Sequence, residues 1–147
     1  MRSGAESGGT TTIRDMMRAV PNETPAKVLV VEDDPSVVVA LRDALSTHGV
    51  TVESASDAAT ANRLLGETRY CGLILDLVLE RGGNGFDVLN HLTKANVNVP
   101  TIVVTAKLPE YVREMLDASR VKLVFPKPVD ARLLAIVVVA LCGQSAA

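Results

Sequence analysis

The chain has 147 residues, the length of a single domain. Apolar residues make up 48% of it and aromatics only 3%, with no Trp. Its core must therefore be aliphatic, a composition that suits a parallel sheet covered on both faces. The formal net charge is −2 and Lys and Arg form no cluster, which argues against a nucleic-acid surface. No apolar run approaches the roughly 20 residues of a membrane span, and the N-terminus lacks a secretory h-region. A soluble, cytoplasmic protein without membrane insertion is expected. Cys71 and Cys142 lie far apart without C-x-x-C spacing, so the expectation for them is two buried free thiols rather than a disulfide or a metal site.

Residues 1–25 are rich in Gly, Ser and Thr and end in Pro21 and Pro25, which reads as a flexible tail. Within it, Ile13, Met16, Met17 and Val20 share one helical face, enough for a short helix over 12–20. From Lys27 the chain alternates strand and helix. Val28-Leu29-Val30-Val31 is a continuous apolar run, typical of a buried parallel strand. Pro35 opens a helix with Val37, Val38, Leu41, Ala44 and Leu45 inward, ending at Gly49. Thr51 to Ser54 is a short strand, and Asp57 caps a helix with Ala61, Leu64 and Leu65 inward. Leu73-Ile74-Leu75 ends at Asp76. A glycine-rich loop, Arg81 to Gly85, leads into a helix carrying Phe86, Val88, Leu89 and Leu92. Thr101 to Val104 is a fourth strand ending at Thr105. Pro109 opens a helix with Val112, Met115 and Leu116 on one side. Val121 to Phe125 is a fifth strand ending at Lys127-Pro128. Asp130 caps a last helix from Ala131 to about Cys142, with a buried stripe of Leu133, Val137 and Leu141. Gly143 to Ala147 remains as a C-terminal tail. Right-handed crossovers make this (βα)₅ pattern an α/β, doubly wound parallel sheet.

In such sheets ligands sit at the carboxyl ends of the strands. Glu32 and Asp33 lie past strand one, Asp76 ends strand three, Thr105 ends strand four and Lys127 follows strand five. One crevice thus collects three carboxylates, a hydroxyl and an ammonium. Two carboxylates roughly 5 Å apart repel by about 3 kcal/mol at an effective dielectric near 20. Three beside a single Lys call for a small, hard divalent ion, Mg²⁺ or Mn²⁺. A carboxylate in that setting can attack phosphorus, because phosphoryl transfer is mostly positioning and charge stabilisation.

With Val30-Val31-Glu32-Asp33-Asp34-Pro35, Leu75-Asp76-Leu77, Gly85, Val104-Thr105-Ala106 and Lys127-Pro128 in this order, each at the end of a predicted strand or in the loop after one, residues 26–142 resemble the receiver domain of two-component response regulators. The resemblance implies a flavodoxin-like five-stranded sheet of order 2-1-3-4-5. It implies Asp76 as phosphoacceptor, with Thr105, Ala106 and Lys127 binding the phosphoryl group. Asp33 and Asp76 would ligate the metal, with Glu32 acting largely through water and the Val78 carbonyl as a further ligand. The implied partners are a histidine kinase or phosphotransfer protein and a downstream protein, with homodimerisation through the last helix region a further expectation. The implied activity is self-phosphorylation with autodephosphorylation, not turnover of a separate substrate. Asp34 reads as a solvated neighbour, and neither His48 nor His91 sits at a strand end, so neither is a phosphohistidine.

The sequence also departs from the family pattern. Glu80 stands where a Pro is common, and Gly85 comes one residue late. Val124 occupies the place of the usual switch aromatic, with Phe125 after it. A phosphatase of the haloacid dehalogenase type would need an acid at position 78, which holds Val78. The alternative function is a receiver-like binding module that works without phosphorylation. No output domain is expected after the last helix.

Overall fold

A computed structural model describes residues 26–79, 84–106 and 121–146. The expected N-terminal tail and its short helix, the loop around Glu80 to Gly83, and the helix opened by Pro109 lie outside the described residues. Five strands, β1 (Lys27–Val31), β2 (Thr51–Ala55), β3 (Gly72–Asp76), β4 (Thr101–Thr105) and β5 (Val121–Pro126), form one sheet in the order β2-β1-β3-β4-β5. All pairings are parallel. The described helices are α1 (Pro35–Ser46), α2 (Ala58–Glu67), α3 (Gly85–Lys94) and α4 (Ala131–Ala146). This is the doubly wound, flavodoxin-like order expected from the sequence.

Side chains alternate across a strand, so each apolar run feeds two cores. Leu29 and Val31 of β1 join Leu73 and Leu75 of β3 beneath α2 and α3, where Ala61, Leu65, Val88 and Leu92 complete one layer. Val28 and Val30 point the other way, with Ile74, Ile102 and Val104, against Val38, Leu41 and Leu45 of α1 and Leu134, Ala135 and Val138 of α4. β1, β3 and β4 are covered on both faces, which is why their polar residues, Lys27, Asp76, Thr101 and Thr105, stand only at strand ends. β5, at the sheet edge, is half-buried to exposed along its length.

The helix starts follow local chemistry. Asp34 is the N-cap of α1, its carboxylate accepting from the Ser36 N–H at 2.9 Å and the Ser36 hydroxyl at 2.7 Å, with Pro35 in the first turn. It is exposed, as expected, but it also has this capping role. Asp57 caps α2 by accepting from the Thr60 N–H at 2.7 Å. Asp130 accepts from the Arg132 N–H at 2.9 Å at the start of α4. α1 ends at Ser46, and Gly49 follows with φ +75°, a left-handed conformation that favours glycine.

Two expectations are corrected at α4. The helix runs to Ala146, beyond Cys142, and its buried face is Leu134, Ala135, Val138 and Cys142. Leu133 is 51% exposed, while Val137 and Leu141 are only partly buried. The expected stripe was one residue out of phase, because apolar residues surround this helix and no polar face marks its outside. The second correction concerns the cysteines. Cys71, just before β3, and Cys142, on the inner face of α4, are joined in a disulfide with Cα atoms 4.8 Å apart. Folding α4 onto β3 brings together cysteines 71 residues apart in the chain, so the free-thiol expectation fails. No helix among the described residues is long and apolar enough to cross a membrane.

Candidate functional site

The chain leaves β1 toward β2 on one side and later returns to place β3 on the other, so a crevice opens where β1 and β3 end side by side. Glu32 follows β1 directly, and Asp76 is the last residue of β3. Both are almost fully buried, at 5% and 4% exposure, while Asp33 is half-buried. Carboxylate oxygens of Glu32, Asp33 and Asp76 lie within 4.8 Å of one another.

Lys127, just past β5, spans this cluster. Its Nζ donates to Asp76 Oδ2 at 2.8 Å and to Glu32 Oε1 at 2.9 Å. Its own N–H donates to the Thr105 carbonyl at 3.0 Å, which ties the residue after β5 to the end of β4. The Lys127–Pro128 peptide is cis. The second carboxylate oxygen of Glu32, Oε2, accepts from the Asp34 N–H at 3.1 Å. Asp76 Oδ1 accepts from the Val78 N–H at 3.0 Å, so the turn after β3 holds the carboxylate that precedes it.

The electrostatics follow from burial. Desolvation pushes the Glu32 carboxyl above its ordinary range, and the nearby Asp76 charge adds to this. Hydrogen bonds from Lys127 and Asp34 oppose the shift without cancelling it. Burial pulls the Lys127 ammonium down, but its bonds to Asp76 and Glu32 outweigh that and leave it raised. Lys127 therefore stays a cation. Three clustered carboxylates against one ammonium leave negative charge that oxygen-ligated divalent cations are suited to neutralise. The donor set fits such an ion, and Glu32, Asp33 and Asp76 can hold it.

The expected residues thus converge: Glu32, Asp33, Asp76 and Lys127 share one cluster. Thr105 is buried at the end of the neighbouring strand, with Ala106 exposed beside it. The side chain of Val78 is 62% exposed at the crevice rim. Two features were not legible beforehand. One is the second bond of Lys127, to Glu32. The other is the reason for Gly85. A Cβ there would lie 2.5 Å from the Asp76 carbonyl oxygen and 2.7 Å from Leu77 Cα. The Gly85 N–H donates to the Leu77 carbonyl at 3.0 Å, so the first residue of α3 packs directly on the turn that carries Asp76. An Asn84–Asp87 capping box fixes that helix start. In the sequence Gly85 shows only as the glycine closing a glycine-rich loop and as one position of the receiver-like motif series, with no hint of this contact.

The profile of the response regulator receiver domain matches residues 28–138. Response regulator MprA of Mycobacterium sp. (strain KMS) is 35% identical over 83 residues, covering 56% of this chain and 36% of that protein. The transcriptional regulatory protein TcrA of Mycobacterium tuberculosis is 32% identical over 90 residues, covering 61% and 35%. The chain thus spans about a third of the length of these curated relatives. Among solved structures, a response regulator receiver protein from Burkholderia phymatum is 31% identical with a TM-score of 0.66, covering 80% of this chain and 95% of that one. A CheY-like receiver domain from Methanospirillum hungatei, 19% identical, shares the fold with a TM-score of 0.76 over 83% and 97% of the two chains. The motifs at the strand ends and this match over most of the chain agree, and the protein belongs to the response regulator receiver domain family.

Proposed function

We propose that this receiver domain accepts a phosphoryl group on Asp76 from a histidine kinase or a phosphotransfer protein, and that it passes the signal on through protein contacts. The observation that carries this is the Lys127 ammonium bridging Asp76 and Glu32 beside Asp33. An Asp76 carboxylate oxygen attacks phosphorus, a P–O bond forms, and the bond from phosphorus to the donor imidazole nitrogen breaks. Of the two oxygens, Oδ1 is held by the Val78 N–H and Oδ2 by Lys127, so the carboxylate is oriented before a donor arrives.

Lys127 then shifts its charge onto the phosphoryl oxygens. The Thr105 hydroxyl and the Ala106 N–H donate to the others. Glu32, Asp33, Asp76 and the Val78 carbonyl would hold Mg²⁺ or Mn²⁺. Once bound, that cation supplies neutralisation of the charge on the phosphoryl group. Hydrolysis of the aspartyl phosphate resets the domain, with no separate substrate turned over. The receiver unit expected over residues 26–142 takes in the whole of α4, to Ala146. The assignment places it in the cytoplasm, acting on a downstream protein and pairing with a second copy through the α4 region, without binding nucleic acid.

The test is intact mass after incubation with acetyl phosphate, with and without Mg²⁺, on wild type and Asp76→Asn. The expected result is one added phosphoryl group that requires Mg²⁺ and is absent from the variant. No addition to the folded wild type under any condition overturns the proposal in favour of a phosphorylation-independent binding module.

A further inference from the structure

At the opposite end of β3 from Asp76 lies a second chemical group. Cys71 precedes the strand, and its N–H donates to the Lys27 carbonyl at 2.9 Å, so its backbone is anchored to β1. Cys142 is 7% exposed on the inner face of α4, and the two are disulfide-bonded. Gly72 lies against the helix at this point: a Cβ there would meet Val138 Cγ1 tightly at 3.3 Å and Cys142 Sγ at an ordinary contact distance of 3.6 Å. The bond staples the C-terminal half of α4 to the sheet.

The helix as a whole leans on its packing more than most helices do. Ile136-Val137-Val138-Val139 is a β-branched run, a poor helix former, so α4 depends on its packing. Its N-terminal half is already seated by Leu134 and Ala135, both fully buried, and by Val138. The outer face of the same helix carries exposed Leu133 and Ile136, and Ile136 with Ala131 and Arg132 lines a groove of about 570 Å³ against α1. Past Val139, Cys142 is the one buried residue among positions 140–143, so the bond is the main hold on the C-terminal half.

We infer that Cys71–Cys142 is a reversible thiol–disulfide latch, through which a cellular thiol reductant controls the order of the C-terminal half of α4. Disulfides in the reducing interior of mesophilic cells are usually transient or redox-sensing, and this step rests on the cytoplasmic placement proposed above. The chemistry is exchange with a thiol such as glutathione. A reductant thiolate attacks one sulfur, the S–S bond breaks, and the other cysteine leaves as a thiolate that takes up a proton. A second reductant thiol then displaces the mixed disulfide. In total, two electrons pass to the protein, which gains two thiols, and the reductant leaves as its own disulfide. None of this involves Asp76, so the latch and the phosphoryl chemistry stand or fall separately.

The test combines alkylation mass spectrometry with hydrogen exchange on the full chain, titrated across glutathione buffers from wholly oxidised to wholly reduced. The protein in oxidised buffer takes up no alkyl group, and it takes up two after reduction by glutathione without denaturant. Reduction speeds amide exchange in residues 139–146 by about tenfold or more, as local opening predicts, while β1, β3 and β4 stay protected. The Cys71→Ala/Cys142→Ala protein reproduces the reduced pattern in every buffer, which separates the bond from any side effect of glutathione. The inference is overturned if both cysteines alkylate in oxidised buffer. It is equally overturned if the bond survives excess glutathione in the folded protein, which makes it a permanent staple, or if exchange in α4 is the same in both redox states. Acetyl phosphate labelling of Asp76 in the same samples reports on the phosphoryl proposal independently.

Discussion

Replacing Lys127 by Met keeps most of the side-chain volume and removes the ammonium that joins Asp76 to Glu32. The remaining carboxylates have oxygens within 4.8 Å of one another. At an effective dielectric near 20, each such pair repels by about 3 kcal/mol. Glu32 and Asp76 are nearly buried, but Lys127 is a quarter exposed, so water screens part of the loss. Removing one partner of a fully buried pair costs about 3–5 kcal/mol, and with screening the expected loss is roughly 2–3 kcal/mol at neutral pH in a chelator. Glu32 sets the pH dependence. Its folded-state pKa is raised, chiefly by burial. The native state therefore keeps a proton that the unfolded chain gives up, and stability falls as pH rises from about 4.5 through the folded value. Without the ammonium that window extends upward, so the penalty for Lys127→Met shrinks on acidification. Mg²⁺ at about ten times the dissociation constant stabilises a binding protein by on the order of 1.4 kcal/mol, and it narrows the loss because the variant, without a competing ammonium on Asp76 and Glu32, binds the ion more tightly than wild type. Urea unfolding of both proteins at about pH 5 and about pH 7.5, in chelator and in Mg²⁺, measures all three effects. A loss below about 0.5 kcal/mol, or one unchanged by acid and by Mg²⁺, would refute the claim that the ammonium balances a crowded carboxylate site.

Two further outcomes rest on single contacts. Gly85→Ala drives a Cβ to 2.5 Å from the Asp76 carbonyl and should cost about 1–3 kcal/mol, whereas Gly66→Ala in α2 meets nothing within 4 Å and should stabilise by about 0.5–1 kcal/mol. Thermal unfolding of the pair shows whether the close approach, rather than loss of glycine itself, matters. Tyr70 donates to Glu53 Oε1 at 2.6 Å, and Lys27 Nζ donates to Oε2 at 3.0 Å. Burial and the Glu53 anion push the Tyr70 hydroxyl up to about 12. Its contribution is therefore complete below its unfolded value of about 10 and is lost as pH rises toward 12, because only the unfolded chain ionises in that interval. Tyr70→Phe should lose about 1.5–3 kcal/mol at neutral pH and flatten that alkaline decline, as urea midpoints across the range would show.

Much of the fold is legible in the sequence because it depends on neighbours along the chain. Val28 to Val31 reads as a buried strand since both of its faces must be apolar. Asp34-Pro35, Asp57 and Asp130 read as helix starts since a cap bonds to N–H groups two or three residues away. The candidate site is legible for a related reason. Parallel strands deliver their carboxyl ends to one edge, so polar residues at those ends must meet, and Glu32, Asp33, Asp76 and Lys127 do.

What the sequence could not decide was anything settled by one element pressing on another. α4 is apolar on nearly every side, so its periodicity carries no phase, and only packing on the sheet turned Leu134 inward and Leu133 outward. Gly85 looks like any loop glycine until the start of α3 settles against the Asp76 carbonyl. Nor does the spacing of Cys71 and Cys142 suggest a pair, because a disulfide depends on distance in space, and that distance exists only once α4 has docked across β3.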